Sequence, residues 1–138
     1  MKFELNLVVS VLGTIFVFLF GGWSMLLNVL IFVMAADYVT GLLVGLAGKS
    51  KKTKKGGLSS KVGFKGLLKK CLILLILTVA YRIDIVVNAN QLLYYAVMLF
   101  YISNEAISIL ENAALLDVPI PDKLINAIEA LKEDEDES

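Results

Sequence analysis

The sequence has no histidine, a single cysteine, Cys71, and two prolines, and only 19% of its 138 residues are charged. Without histidine, neither a Ser/His/Asp triad nor a Cys/His pair can be assembled, and the usual nitrogen ligands of zinc or copper are missing. That inventory points away from nucleophile-based and metal-dependent enzymes, and no cofactor and no metal is expected. One cysteine cannot form an intramolecular disulfide. Beside Lys69 and Lys70, Cys71 reads as an inert, small apolar residue at a membrane boundary. Pro119 and Pro121 stop any continuous helix near the C-terminal end.

Apolar residues are present in excess: 58% of the chain is hydrophobic, where a soluble domain runs nearer half. From Leu5 to Ala36 there are 32 consecutive residues without a charge. About 20 such residues cross a hydrocarbon layer of about 30 Å, so the pattern predicts an all-α integral membrane protein. Gly21-Gly22-Trp23-Ser24 punctuates the run, because paired glycines weaken a helix and tryptophan favours the interface. This predicts a helical hairpin with arms at about 3–22 and 25–48. Lys2 is balanced by Glu4 and no small-x-small cleavage site follows, so the first arm reads as a span rather than a signal peptide. Two further spans are expected at about 67–87 and 92–110, with Ser59 or Ser60 capping the entry to the third. Residues 1–118 then form a multi-span membrane domain. Residues 119–138 form a short amphipathic helix, with Leu124, Ile125, Ile128 and Leu131 on one stripe, and an acidic tail.

The formal net charge is zero, but the signs are segregated. Lys49, Lys51, Lys52, Lys54, Lys55, Lys61, Lys65, Lys69 and Lys70 surround the polar break, whereas Glu133, Asp134, Glu135, Asp136 and Glu137 form an acidic end. A lysine-rich loop between apolar spans marks the cytoplasmic face and attracts anionic lipid headgroups. A nucleic-acid partner is not expected, since Phe64 is the only aromatic residue interleaved with the lysines. Two helices on either side of a cytoplasmic loop place both termini in the cytoplasm.

Within the second span, Asp37, Gly41 and Gly45 fall at i, i+4 and i+8, with Gly48 close to the same stripe. Glycines at this spacing let helix backbones approach, and a carboxylate at membrane depth must be paired, protonated or hydrated. Two readings stay open. The stripe packs internally within the hairpin with Asp37 bonded to a hydroxyl, or it packs between subunits with Asp37 facing a polar lumen. Asn104 and Glu105 are further intramembrane polar groups unless the boundary falls near Ser103, and Glu105 is placed to answer a lysine of the basic loop. Arg82 and Asp84 mark the end of the third span.

The segments DYVTGLLVGLAGK, LSSKVGFKGLLKK and NEAISILENAALLDVPIPDKLINAIEALK, in that order, resemble the phage holin family that also contains clostridial toxin-secretion holins. The resemblance covers about residues 30 to 132. It rests on the Asp-Tyr-x-Thr-Gly core, the Ser59, Gly63 and Gly66 spacing and the Val-Pro-Ile-Pro segment. It implies a protein that oligomerises in the host cytoplasmic membrane and opens lesions that release an endolysin, without direct contact, or a toxin. A small ion channel or transporter subunit using Asp37 and Glu105, and a membrane anchor recruiting a cytoplasmic partner through its acidic tail, are the competing expectations. Topology is checked by labelling single cysteines at Ser50, Asn90 and Ser138 in a Cys71→Ser background. Inside, outside and inside is the expected result; Ser50 and Ser138 on opposite faces would replace four spans by three.

Overall fold

A computed structural model describes residues 1–136 of the chain as five helices: α1 Lys2–Phe20, α2 Met25–Leu46, α3 Ser60–Val87, α4 Leu92–Leu115 and α5 Asp122–Asp136. Glu137 of the expected acidic end and Ser138 lie outside the described residues, as do the side chains of Leu131, Lys132, Asp134, Glu135 and Asp136. The boundaries follow from local chemistry. Gly21 closes α1 in the left-handed region at φ 73°, its N–H donating to the Val17 carbonyl, a conformation that glycine adopts at little cost. Ser24 then caps α2 by accepting from the Leu27 N–H at 3.1 Å, and Ser59 caps α3 by accepting from Val62. The last helix begins at Asp122, one residue after Pro121, whose carbonyl accepts from Leu124.

Helices α2, α3 and α4 form the bundle. Connectivity makes α2 and α4 run the same way with α3 antiparallel to both. Their shared core is Leu27, Leu30 and Met34 from α2, Ile73 and Leu77 from α3, and Tyr94, Met98 and Ile102 from α4. In α2 these fall at i, i+3 and i+7, the spacing of one helix face. Other residues of α2, such as Phe32 and Val39, are exposed, as a lipid-facing surface requires. Helix α5 lies against α4, with Ile128 buried.

The helical hairpin needs correction. The turn at Gly21-Gly22 is present, but the two arms do not pair: α1 contacts α3, not α2, and no residue of α1 is buried. The C-terminal end of α1 is held both by apolar packing of Phe16 and Phe20 on the core and by polar contacts. Arg82 of α3 donates to the Phe18 carbonyl at 2.6 Å and stands 3.7 Å over the Phe18 ring. Tyr94 of α4 donates to the Phe20 carbonyl at 3.0 Å. Both contacts satisfy carbonyls that the end of α1 leaves without helical partners.

Helices α1, α2 and α4 are long and apolar enough to cross a membrane. Helix α3 carries Lys70, Arg82 and Asp84 on and around its apolar stretch. Asp84 is 3% exposed, and its carboxylate accepts from the backbone N–H groups of Leu93 at 3.1 Å and Tyr94 at 2.5 Å. It therefore caps α4 from a different helix, with its negative charge at the positive end of the α4 dipole. Arg82 and Asp84 do more than mark the end of a span; they fasten α3 to α1 and to α4.

Asp84→Ala leaves the buried Tyr94 amide and the part-buried Leu93 amide without their acceptor, which costs about 1–3 kcal/mol. Unfolding of the purified chain in mixed micelles by a denaturing detergent measures it, with the exposed Ile85→Ala as the reference. Equal losses in the two variants would remove the capping role.

Candidate functional site

Each of the three bundle helices contributes one charged group to a single point. Asp37 stands three residues after the core position Met34 in α2, Lys70 three before Ile73 in α3, and Glu105 three after Ile102 in α4. Residues three apart share a helix face, so the same periodicity that buries the core residues turns these charges inward. The Lys70 Nζ donates to Asp37 Oδ2 at 2.8 Å and to Glu105 Oε2 at 2.5 Å. The three side chains are 14%, 15% and 7% exposed, well below what surface ion pairs show.

Polar neighbours complete the cluster. Asn112 of α4 donates to the Thr40 hydroxyl at 2.9 Å and lies 3.5 Å from both the carbonyl and Oδ1 of Asp37. Thr40 itself donates to the Asp37 carbonyl at 3.0 Å, and Ser108 is within hydrogen-bonding reach of the Asp37 carboxylate. Among the described residues no buried side-chain nitrogen or oxygen lacks a partner.

The glycine stripe faces the same chain. A Cβ on Gly41 would sit 3.9 Å from Asn112 Nδ2, an ordinary contact, whereas a Cβ on Gly45 would meet Leu58 Cδ2 at 2.6 Å. Gly45 is thus covered by the basic loop, and Gly48, at φ 71°, turns the chain out of α2. A second close approach lies opposite: the Tyr38 ring rests on α3 at Gly63 and Gly66, its hydroxyl oxygen 3.3 Å from where a Gly63 Cβ would be. Between the loop, α2 and α3 lies a cleft of about 140 Å³ that reaches from Lys52, Thr53 and Lys69 down to Asp37, Lys70, Glu105 and Ser108.

Lys51, Lys52, Lys54, Lys55, Lys61, Lys65 and Lys69 are exposed at the loop end of the bundle. Lys49 is exposed too, and its ammonium bonds Asp117 Oδ2 at 2.7 Å. That hydrogen bond and the charge beside it hold the Asp117 carboxyl below its ordinary range. The contact is present at neutral pH and is lost as pH falls through the lowered value. Lys70 departs from the group. Adjacent helical residues point about 100° apart, so while Lys69 faces outward Lys70 turns into the bundle, and it is the lysine that answers Glu105. Asn104 and Glu105 diverge in the same way: Asn104 is exposed and does not join the cluster. Sequence reasoning missed Asn112 and Ser108. Their signal was available, since Glu105, Ser108 and Asn112 recur at i, i+3 and i+7 on one face.

The bacteriophage holin family profile matches residues 14–133, which hold every member of the cluster. The chain belongs to the bacteriophage holin family. Relatives extend over most of its length. An uncharacterized 14.9 kDa protein of Clostridium perfringens is 43% identical over 121 residues, 87% of this chain and 86% of its own. An uncharacterized protein of Listeria monocytogenes is 41% identical over 117 residues, covering 84% and 78%. A probable holin of Bacillus phage phi105 is 32% identical over 111 residues, covering 80% and 77%. No solved structure matches the chain. Holin-family membership and apolar helices of spanning length together give a membrane location.

Lys70→Met strands two carboxylates against each other in the bundle, and removing one partner of a buried ion cluster costs about 3–5 kcal/mol. Thermal unfolding in detergent should show Lys70→Met far less stable than Lys69→Met, with the loss largely recovered when Asp37→Asn and Glu105→Gln are added. Equal melting of the two lysine variants would mean that the cluster does not hold the bundle.

Proposed function

We propose that this holin-family chain oligomerises in the host cytoplasmic membrane and opens lesions through which an endolysin, or a secreted toxin, leaves the cell. The observation that carries the reading is the buried Asp37–Lys70–Glu105 cluster in a bundle whose outer surface is apolar. A protein that only anchors has no need of charges in its core, whereas a lesion needs polar groups that are hidden in the closed bundle and wetted when helices rearrange. Four spans with cytoplasmic termini and a cytoplasmic lysine loop make α3 the third span. Its charges Arg82 and Asp84 then lie near the far interface, and residues 119–138 form the cytoplasmic appendage.

The stripe Asp37, Gly41, Gly45 and Gly48 is the association face, and the structure suggests how it is kept in reserve. Leu58 covers Gly45, so a second copy gains close backbone contact with α2 when the loop lifts away. Electrostatic attraction between the exposed lysines and anionic headgroups pulls the loop in that direction. Asn104, on the outer surface of α4, is then a polar group for contact between copies.

Two substitutions act in opposite directions. Leu58→Ala uncovers the stripe and should advance lysis, while Gly45→Leu fills it and should reduce crosslinked oligomers and abolish lysis at equal membrane abundance. The assay is expression in a bacterium with and without a cytoplasmic muralytic enzyme. A lesion former gives abrupt loss of viability and membrane potential, an ion transporter gives graded flux, and an anchor gives neither. Unchanged timing in both variants would remove the stripe from the mechanism.

A further inference from the structure

Two carboxylates surround one ammonium, so with all three groups ionised the cluster carries one uncompensated negative charge. Among the described residues no second ammonium pairs with either carboxylate; Lys52 and Lys69 line the cleft above without doing so. Below the cluster lie Met34, Ile73, Met98 and Ile102, and isolated charge in such surroundings is costly. The Asn112 amide at 3.5 Å and Ser108 offer dipoles, not charge. Lys70 engages one oxygen of each carboxylate, Oδ2 of Asp37 and Oε2 of Glu105. Both carboxyl groups converge on the one ammonium. Two carboxylates crowded on a single cation repel; a proton on either one removes the repulsion.

We propose that Asp37 and Glu105, bridged by Lys70, form a binding site for one proton, filled through the cleft beneath the lysine loop, and that this proton holds α3 closed on α2 and α4. Binding transfers one proton from water in the cleft to a carboxylate oxygen, and the cluster becomes neutral. Release returns the proton to water and leaves a net negative charge.

The route is one-sided. The cleft of about 140 Å³ accommodates about four or five waters at about 30 Å³ each, and the apolar core residues close the opposite end. The charged and titratable groups that line it are Asp37 and Tyr38 from α2, Lys52 from the loop, Lys69 and Lys70 from α3, and Glu105 from α4. Glu111 lines an adjoining cleft that shares Gly41, Ser50, Lys52 and Ser108. Lys52 and Lys69 at the mouth disfavour entry of a metal cation. A proton passes along water and the hydroxyls of Ser50, Thr53 and Ser108 without carrying a cation through that field. The site concerns the closed bundle and stands whether or not the chain opens lesions.

The test uses the full chain with Cys71→Ser in lipid vesicles equilibrated at the same pH on both sides. Infrared difference spectra follow carboxylic acid, and spin labels at the exposed positions Val39 and Leu72 follow the distance between α2 and α3. Raising pH should remove one carboxylic-acid proton per chain, and the label distance should lengthen with the same midpoint. Asp37→Asn and Glu105→Gln each leave one carboxylate paired with Lys70 and already neutral. Both transitions should vanish in these near-isosteric variants. The proposal is overturned if no carboxylic-acid band titrates, if the band persists unchanged in both variants, or if the distance change follows sodium or potassium concentration at fixed pH, which would make the site one for a metal cation.

Discussion

An ammonium held between two carboxylates inside an apolar bundle is the constraint on which the rest of the structure depends. Each charge comes from a different helix, and none can leave without exposing the others to hydrocarbon. The interaction therefore sets the register of α2, α3 and α4 more tightly than apolar packing can, because in lipid the apolar side chains gain little by preferring one another to lipid tails. A slide of one residue would turn Asp37, Lys70 or Glu105 by about 100° and break the cluster. At the other end of the bundle Asp84 does the corresponding work for α3 and α4 by accepting from Leu93 and Tyr94. The apolar layers between these two points, from Ile73 to Leu77 and from Met98 to Ile102, need only fill space.

The same reasoning explains the position of α1. None of its residues is fully buried, and the lipid is as good an environment for Val8 or Leu12 as another helix would be. What holds it is its C-terminal end, where Phe16 and Phe20 pack against the core and Arg82 and Tyr94 take up the carbonyls of Phe18 and Phe20. Polar bonds are favoured where the alternative is an unsatisfied group near hydrocarbon. The first helix is attached to the bundle through its last turn, with the remainder of its length given to lipid.

Much of this was legible in the sequence. The glycine pair before α2 and the polar residues Asn88, Asn90 and Gln91 before α4 punctuate the chain so clearly that the expected starts of the second and fourth helices coincide with those observed, at Met25 and Leu92. Asp37 and Glu105 stood out because a carboxylate in an apolar run demands an explanation, and both belong to the cluster. Lys70 did not stand out, since eight neighbouring lysines made it look like one more headgroup contact. Only the helical phase separates Lys69 from Lys70 and Asn104 from Glu105. The pairing of α1 was misread for a different reason. Hydropathy reports how long a helix is and what solvent it prefers, but not which neighbour it chooses. That choice rested on the packing of Phe16 and Phe20 and on Arg82 and Tyr94, whose partners, backbone carbonyls, leave no trace in the sequence.

The stripe on α2 joins these features. Asp37, Gly41 and Gly45 are successive positions on one face, and each meets a different part of the molecule: Lys70 of α3, Asn112 of α4 and Leu58 of the basic loop. The cleft runs along the same face and is roofed by that loop. The buried charge and the covered glycine are therefore opposite ends of a single surface. If the loop lifts, the cleft opens wider onto the cluster and Gly45 is uncovered at the same time. If the cluster loses its balance of charge, α3 loosens beneath the residue that covers Gly45. In a protein whose proposed work is to stay closed and then open, exposure of the proposed association face and fuller hydration of the buried charges would be coupled, because both lie on one face of α2.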